Sequence, residues 1–385
     1  MAVEAESPAV ALRPGATIAE FNDFIQHGGL GKNRSPLADN PGKVEDLAVA
    51  FYRLNEDPKE SPNLQVETGD DYSFLMDLLD DKRVLHDCDL ALALLRMLKV
   101  LSRKLSNRNN MELEDIETVA KYLRSTESSS VSAEAASILL NACYEKENVS
   151  LAIKANAVVD LSWLLDSDSE DVAANATGAL QSLSYQEEGR AHIRELDILE
   201  HIFPLLSHSS TKVRTRAVGV IHNMSSDLPS IAVIRTGGAI QELVTLLSDP
   251  QVHICSSAAG AIQNLSREQL SKEMIMEVGG VPPLTDLLFG SDVQTQVCAA
   301  GALLNILGPQ LETDPVTGVQ QVTTRENCAP LLMRTCMPLR PRLTCATCRS
   351  TASALARLTS PAPHRDRWRA DANTNTHNRA TWHSV

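Results

Sequence analysis

The sequence predicts an all-α solenoid of three-helix repeats. Five segments carry this expectation: SILLNAC (137–143), GALQSLS (178–184), GVIHNMS (219–225), GAIQNLS (260–266) and GALLNIL (301–307). They begin at Ser137, Gly178, Gly219, Gly260 and Gly301, each 41 positions from the next. A fixed period of this length marks stacked supersecondary units. Composition agrees: aromatic residues are 4% of a chain that is 43% hydrophobic, a balance suited to helices packed through Leu, Ile, Val and Ala.

In chain order, residues 1–70 mix Pro, Gly, Asn and acidic residues and are expected to be largely disordered, apart from two short amphipathic runs. Phe21, Phe24 and Ile25 share a face in TIAEFNDFIQHGG (17–29), and Leu47, Val49, Phe51 and Leu54 do so less cleanly in KVEDLAVAFYRLNED (43–57). Each run either docks on a partner or folds back to cap the array, whose end repeat otherwise exposes its core. Residues 71–110 read as a degenerate capping repeat, since LALALLRMLKVLS (90–102) falls one period before the first clear unit, with Val100 aligned to Asn141.

Residues 111–310 hold the five clear repeats. In each, an apolar run ends in a leucine (Leu123, Leu165, Leu206, Leu247, Leu288), and a polar break separates it from the 41-spaced segment. Asp249 and Pro250 read as an N-cap and a proline in the first helical position. A short leading helix, as in SIAVIRTGG and KEMIMEVGG, ends in paired glycines that can turn the chain sharply. After Gly308 the pattern stops. Residues 311–385 form an irregular tail, with ten arginines and no lysine over 323–385. Its Cys328, Cys336, Cys345 and Cys348 include a C-x-x-C pair, a zinc-like spacing that no flanking turn chemistry supports.

The glycine pair followed by an apolar run ending in two leucines, together with AAGAIQNLS (258–266) and AAGALLNIL (299–307), resembles the second and third helices of the armadillo repeat. The resemblance implies a right-handed armadillo-type α-solenoid whose third helices line a concave, peptide-binding groove. Asn141, Asn223, Asn264 and Asn305 share one position in those helices, with Ser182 in the remaining slot. By the same resemblance this asparagine faces the groove and bonds the backbone of an extended peptide, its amide supplying donor and acceptor. The alternative is that each asparagine ties down a neighbouring helix by bonding a backbone carbonyl, and the two roles are compatible.

Further groove candidates are His222, Gln263 and Gln181, which directly precede that position, and Arg216 and Arg267, one to two turns away; the alternative for each is solvated surface. Arg216 belongs to TKVRTRAV (211–218), the one basic cluster of the array, which suits an acidic segment. Relatives that read basic nuclear-localisation peptides carry tryptophan four residues before the asparagine, where this chain has Ser137 and Gly178, Gly219, Gly260 and Gly301. That departure disfavours an importin-α-like transport adaptor. A catenin-like groove for acidic ligands fits poorly as well, with 12 Lys and Arg against 26 Asp and Glu over 111–310.

Charge and motif content narrow the function classes. A net charge of −14 opposes general affinity for nucleic acid or anionic membranes and favours basic partners. No stretch reaches the length of a membrane span, and residues 1–15 lack the features of a secretory signal. The expected setting is the cytoplasm, with the nucleus or a cytoskeletal or ciliary assembly as further sites. Cys143, Cys255 and Cys298 sit among Ala and Leu as small buried apolar residues. The sequons at Asn148, Asn175, Asn223 and Asn264 are read as coincidental, the last three lying in expected packed helices. The array offers no phosphate-cradling loop, nucleophile elbow or histidine–carboxylate constellation, so no cofactor, metal or small-molecule substrate is expected. The expected role is a non-catalytic scaffold or adaptor that binds peptide segments of other proteins, or the recognition part of a larger assembly.

Overall fold

The computed structural model describes residues 18, 21–22, 41–65, 69–125 and 128–308, and the backbone of 310–313 and 320–323. Contacts divide the chain into a helical unit, Met1–Ile306, and a second unit, Leu307–Val385.

The helical unit is a stack of third helices with paired shorter helices beside them. Five of the third helices span Ser129–Ala142, Glu170–Ser184, Thr211–Met224, Val252–Leu265 and Val293–Leu307. Cys88–Ser102 precedes them, and through Val252–Leu265 each packs against the next. The second helices begin at Leu113, Ala157, Leu199, Ala239 and Val281. Side chains on the third helices are buried on more than one face; in Glu170–Ser184, Val172, Ala176, Ala179, Leu180 and Leu183 are all at or below 2% exposure. Helices of this kind cannot stand alone, and each buries its apolar surface against its neighbours.

The amino-terminal side is more ordered than the sequence suggested. Pro41–Asn55 is a helix of 15 residues that packs along Cys88–Ser102. Its buried stripe is Val44, Ala48, Phe51 and Asn55, an i, i+4, i+7, i+11 series, and not the face through Leu47, Val49 and Leu54. Burying Phe51 alone is worth about 1.5–3 kcal/mol. The helix therefore folds back onto the array. Asn55 secures its end, donating to the Phe51 carbonyl at 2.9 Å and accepting from Ser61 Oγ at 2.8 Å. Further along, Lys104 and Asp70 form a buried ion pair at 3.0 Å, and Asn107 Nδ2 also donates to Asp70 at 2.8 Å. From the 17–29 run, Ile18 and Phe21 are buried and Asn22 donates to the Asp71 carbonyl; Phe24 and Ile25 lie outside the described residues.

Two local expectations change. The helix after Asp249 starts at Val252, so Pro250 is not its first residue; Asp249 Oδ1 instead accepts from the Gln251 amide at 2.8 Å, closing a turn. The sharp corner between first and second helices recurs at one position every 41 residues, in the left-handed region: Asn156 (φ 59), Asp197 (φ 53), Gly238 (φ 79) and Gly279 (φ 78). Only two of the four are glycine, and asparagine and aspartate tolerate this region better than other side chains.

In the second unit, an antiparallel strand pair, Gln310–Thr313 with Gln320–Thr323, departs from the expected irregular tail. The four tail cysteines lie outside the described residues. Among the described residues no helix is long and apolar enough to cross a membrane.

Candidate functional site

The shared asparagine position is held by the preceding repeat. Asn223 Nδ2 donates to Ser184 Oγ at 2.9 Å and to the Gln181 carbonyl at 3.2 Å. Asn305 makes the same pair with Ser266 Oγ at 3.1 Å and the Gln263 carbonyl at 3.2 Å. Asn141 reaches Ser102 Oγ at 2.9 Å and the Lys99 carbonyl at 3.5 Å, and Asn264 reaches Ser225 Oγ at 3.1 Å. Each acceptor hydroxyl is itself fixed, donating to the carbonyl three residues earlier in its own helix at 2.6–2.8 Å. The asparagines thus tie down neighbouring helices, as the second of the two readings held.

This geometry fixes what the amide can offer a ligand. Its donor side points into the junction between repeats, and among the described residues no group donates to Oδ1 of Asn141, Asn223, Asn264 or Asn305. A free Oδ1 accepts a hydrogen bond from a backbone N–H. At the fifth slot Ser182 is buried, and the residue that would meet it, one repeat back, is Cys143 in place of serine. Burial pushes the Cys143 thiol up to about 12.

The residue before the asparagine lies across the next glycine. A Cβ built on Gly219 would stand 2.3 Å from Gln181 Nε2, one on Gly301 2.3 Å from Gln263 Nε2, and one on Gly260 2.5 Å from His222 Nε2. The glycines therefore give room to Gln181, His222 and Gln263, and these side chains fill the space where a tryptophan would project. Burial also holds the His222 imidazole below its ordinary value.

The arginines divide. Arg267 Nη2 donates to the Ser225 and Ser226 carbonyls at 3.0 Å, capping the end of Thr211–Met224. Arg216 Nη1 donates to Gln181 Oε1 at 3.2 Å and lies beside Gly178. The basic cluster does not act as a unit, because Lys212 pairs with Asp171 and Arg214 with Asp249, both at 3.3 Å. An acidic segment would meet a cluster in which two of the three cations already have carboxylate partners.

Sequence reasoning missed the serines that receive the asparagines, although their 41-residue spacing is as regular. It also missed two exposed tyrosines, Tyr144 and Tyr185, stacked at 6.2 Å three residues past Asn141 and Ser182. The sequons have a structural explanation: Asn148 is buried with its amide donated to the Arg108 and Ala142 carbonyls, and Asn175 Nδ2 donates to the Ala133 carbonyl. In Asn223 and Asn264 the sequon serine is the acceptor for the following repeat.

The Armadillo/beta-catenin-like repeat model matches residues 230–267 and 269–308. The fold of the array is an armadillo-type α-solenoid. An engineered protein of known crystal structure is 27% identical, with 62% of this chain and 96% of that chain covered at a TM-score of 0.57. A second engineered protein is 22% identical, with 85% of this chain and 77% of that chain covered at a TM-score of 0.68, a likeness of fold. A designed armadillo repeat protein in complex with the peptide (KR)4 is 25% identical, covering 62% of this chain and all of its own at a TM-score of 0.53. No curated protein matches the sequence.

Proposed function

We propose that the chain is a non-catalytic interaction scaffold, and that its third-helix face holds an extended segment of a partner protein. The observation that carries this reading is the row of asparagines fixed through Nδ2, with Oδ1 left to accept backbone N–H groups at the repeat spacing. A designed armadillo protein of similar fold is described in complex with a (KR)4 peptide, and the excess of acidic residues in this chain favours a basic segment. The space over the glycines is filled by Gln181, His222 and Gln263, so lysine clamping between stacked indoles is not the mode, and a nuclear-transport adaptor is the weaker alternative.

Titration of the full chain with fluorescent (KR)4 and with an acidic (DE)4 peptide tests this. The expected outcome is binding of (KR)4 that weakens with salt, and a loss of about fivefold in the variant carrying Asn223→Ala and Asn264→Ala, taking about 1 kcal/mol for the two positions together. If the folded double variant binds as the parent does, the groove reading fails.

A further inference from the structure

A second concave feature lies away from the asparagine row, between the second helices of two consecutive repeats. A cavity of about 460 Å³ opens there, walled by Leu123, Arg124, Asn156, Val159, Asp160 and Trp163. Two features set it apart. Asp160 is 6% exposed, and its Oδ2 is buried with no hydrogen-bond partner. Trp163, one turn further along the same helix, is 77% exposed.

Helix stacking does not require either residue. At the register of Asp160 the three following repeats have His201, Glu242 and Pro283; at the register of Trp163 they have Pro204, Thr245 and Asp286. A buried carboxylate oxygen without a donor costs stability, and so does an indole held in water. Only one side of the carboxylate is satisfied: Arg124 Nε donates to Oδ1 at 2.8 Å, from a side chain that is two-thirds exposed.

We infer that this cavity binds a lysine side chain of a partner protein. The ammonium reaches Asp160 Oδ2 while the indole of Trp163 covers the cation and the adjoining methylenes, and Leu123 and Val159 line the path of the stem. Lysine fits better than arginine. A guanidinium pairs best with both carboxylate oxygens at once, and Oδ1 is already held by Arg124, whereas an ammonium is a point donor that needs one. Arg124 and Trp163, both exposed, flank the carboxylate on the solvent side of the cavity wall.

The test uses the isotope-labelled full chain, following the Trp163 indole and the Arg124 and Asn156 amide resonances. The probes are Nα-acetyl-lysine methylamide and its arginine and norleucine counterparts. Saturable shifts are expected with the lysine probe, with norleucine about tenfold weaker and arginine weaker than lysine. Asp160→Asn should abolish the preference for lysine over norleucine without lowering the melting temperature; Trp163→Ala, at an exposed position, should weaken lysine binding with the fold intact. The variant with Asn223→Ala and Asn264→Ala should bind the lysine probe as the parent does, which separates this site from the groove. Equal binding of norleucine, tighter binding of arginine, or a fall in the melting temperature of Asp160→Asn would each overturn the assignment.

Discussion

A single side-chain pair repeats through the array: an asparagine amide in one repeat and a serine hydroxyl 39 residues earlier. Its one failure involves both partners, since Ser182 stands for the asparagine and Cys143 for the serine. The pair is therefore a coupled unit, and it can be restored. Ser182→Asn alone buries an amide against a weakly accepting thiol, whereas combined with Cys143→Ser it recovers the tie. A double-mutant cycle by urea unfolding should show a favourable coupling of about 0.5–1.5 kcal/mol; additive effects would mean that the serine acceptors are incidental. His222 offers a second prediction. Burial places its folded pKa below the ordinary value of 6.5, so the folded chain binds fewer protons there than the unfolded chain. Stability from this site is complete above pH 6.5, declines as the pH falls below 6.5, and levels off once the pH is under the lowered folded value. His222→Gln should remove that decline in denaturant melts between pH 5 and 8. Gln181 and Gln263 already cover Gly219 and Gly301 as His222 covers Gly260, so the variant is expected to fold normally.

In four of the five repeats the corner between first and second helix depends on one residue with positive φ, and the sequence uses Asn156 and Asp197 in two of them, Gly238 and Gly279 in the other two. Asp197→Gly removes the side-chain penalty of the left-handed region and is expected to stabilise the chain by about 0.5–1 kcal/mol after the added freedom of the unfolded state is counted. Gly238→Ala should destabilise by about 1–2 kcal/mol. Thermal or chemical denaturation of the pair checks both signs, and the same sign for both would show that the corner is not the limiting feature. At this scale the sequence was largely legible, because glycine pairs, leucine pairs and the 41-residue spacing each arise from a physical demand that recurs in every unit. It was less legible where one demand is met by different residues, as at Asn156 and Asp197, or where a helix lacks repeat spacing, as in Pro41–Asn55. The candidate site was legible in position but not in orientation: spacing put the asparagines in one row, while only the coordinates show that Nδ2 turns inward to Ser184 or Ser266. Asp160 and Trp163 left no periodic signal at all, since each occurs in one repeat only.

Across the helical unit, side-chain ties link each repeat to its neighbour, typically over 33–43 residues. Stability in such an array is close to a sum of unit and junction contributions, with end units that must shield the core. Pro41–Asn55 and Cys88–Ser102 therefore belong to the fold as much as the five clear repeats do. Cys88–Ser102 supplies Ser102 Oγ to Asn141, and Arg96 and Lys99 to Glu134 at 3.2 and 2.6 Å. Pro41–Asn55 in turn packs along it, and Arg103 caps the carboxyl end of that helix through the Asn55 and Glu56 carbonyls. A chain shortened to residues 105–385 would expose the Ser129–Ala142 helix and leave Glu134 without either cation. Its melting temperature should fall and its tendency to associate should rise with concentration, read by circular dichroism and by size-exclusion chromatography across a dilution series. Removing only residues 1–40 should have a smaller effect, confined to what Ile18, Phe21 and the Asn22 bond to Asp71 contribute. A 105–385 chain that melts with the parent and elutes as a monomer at every concentration would show that the clear repeats hold themselves up, and that the amino-terminal helices pack on the array without supporting it.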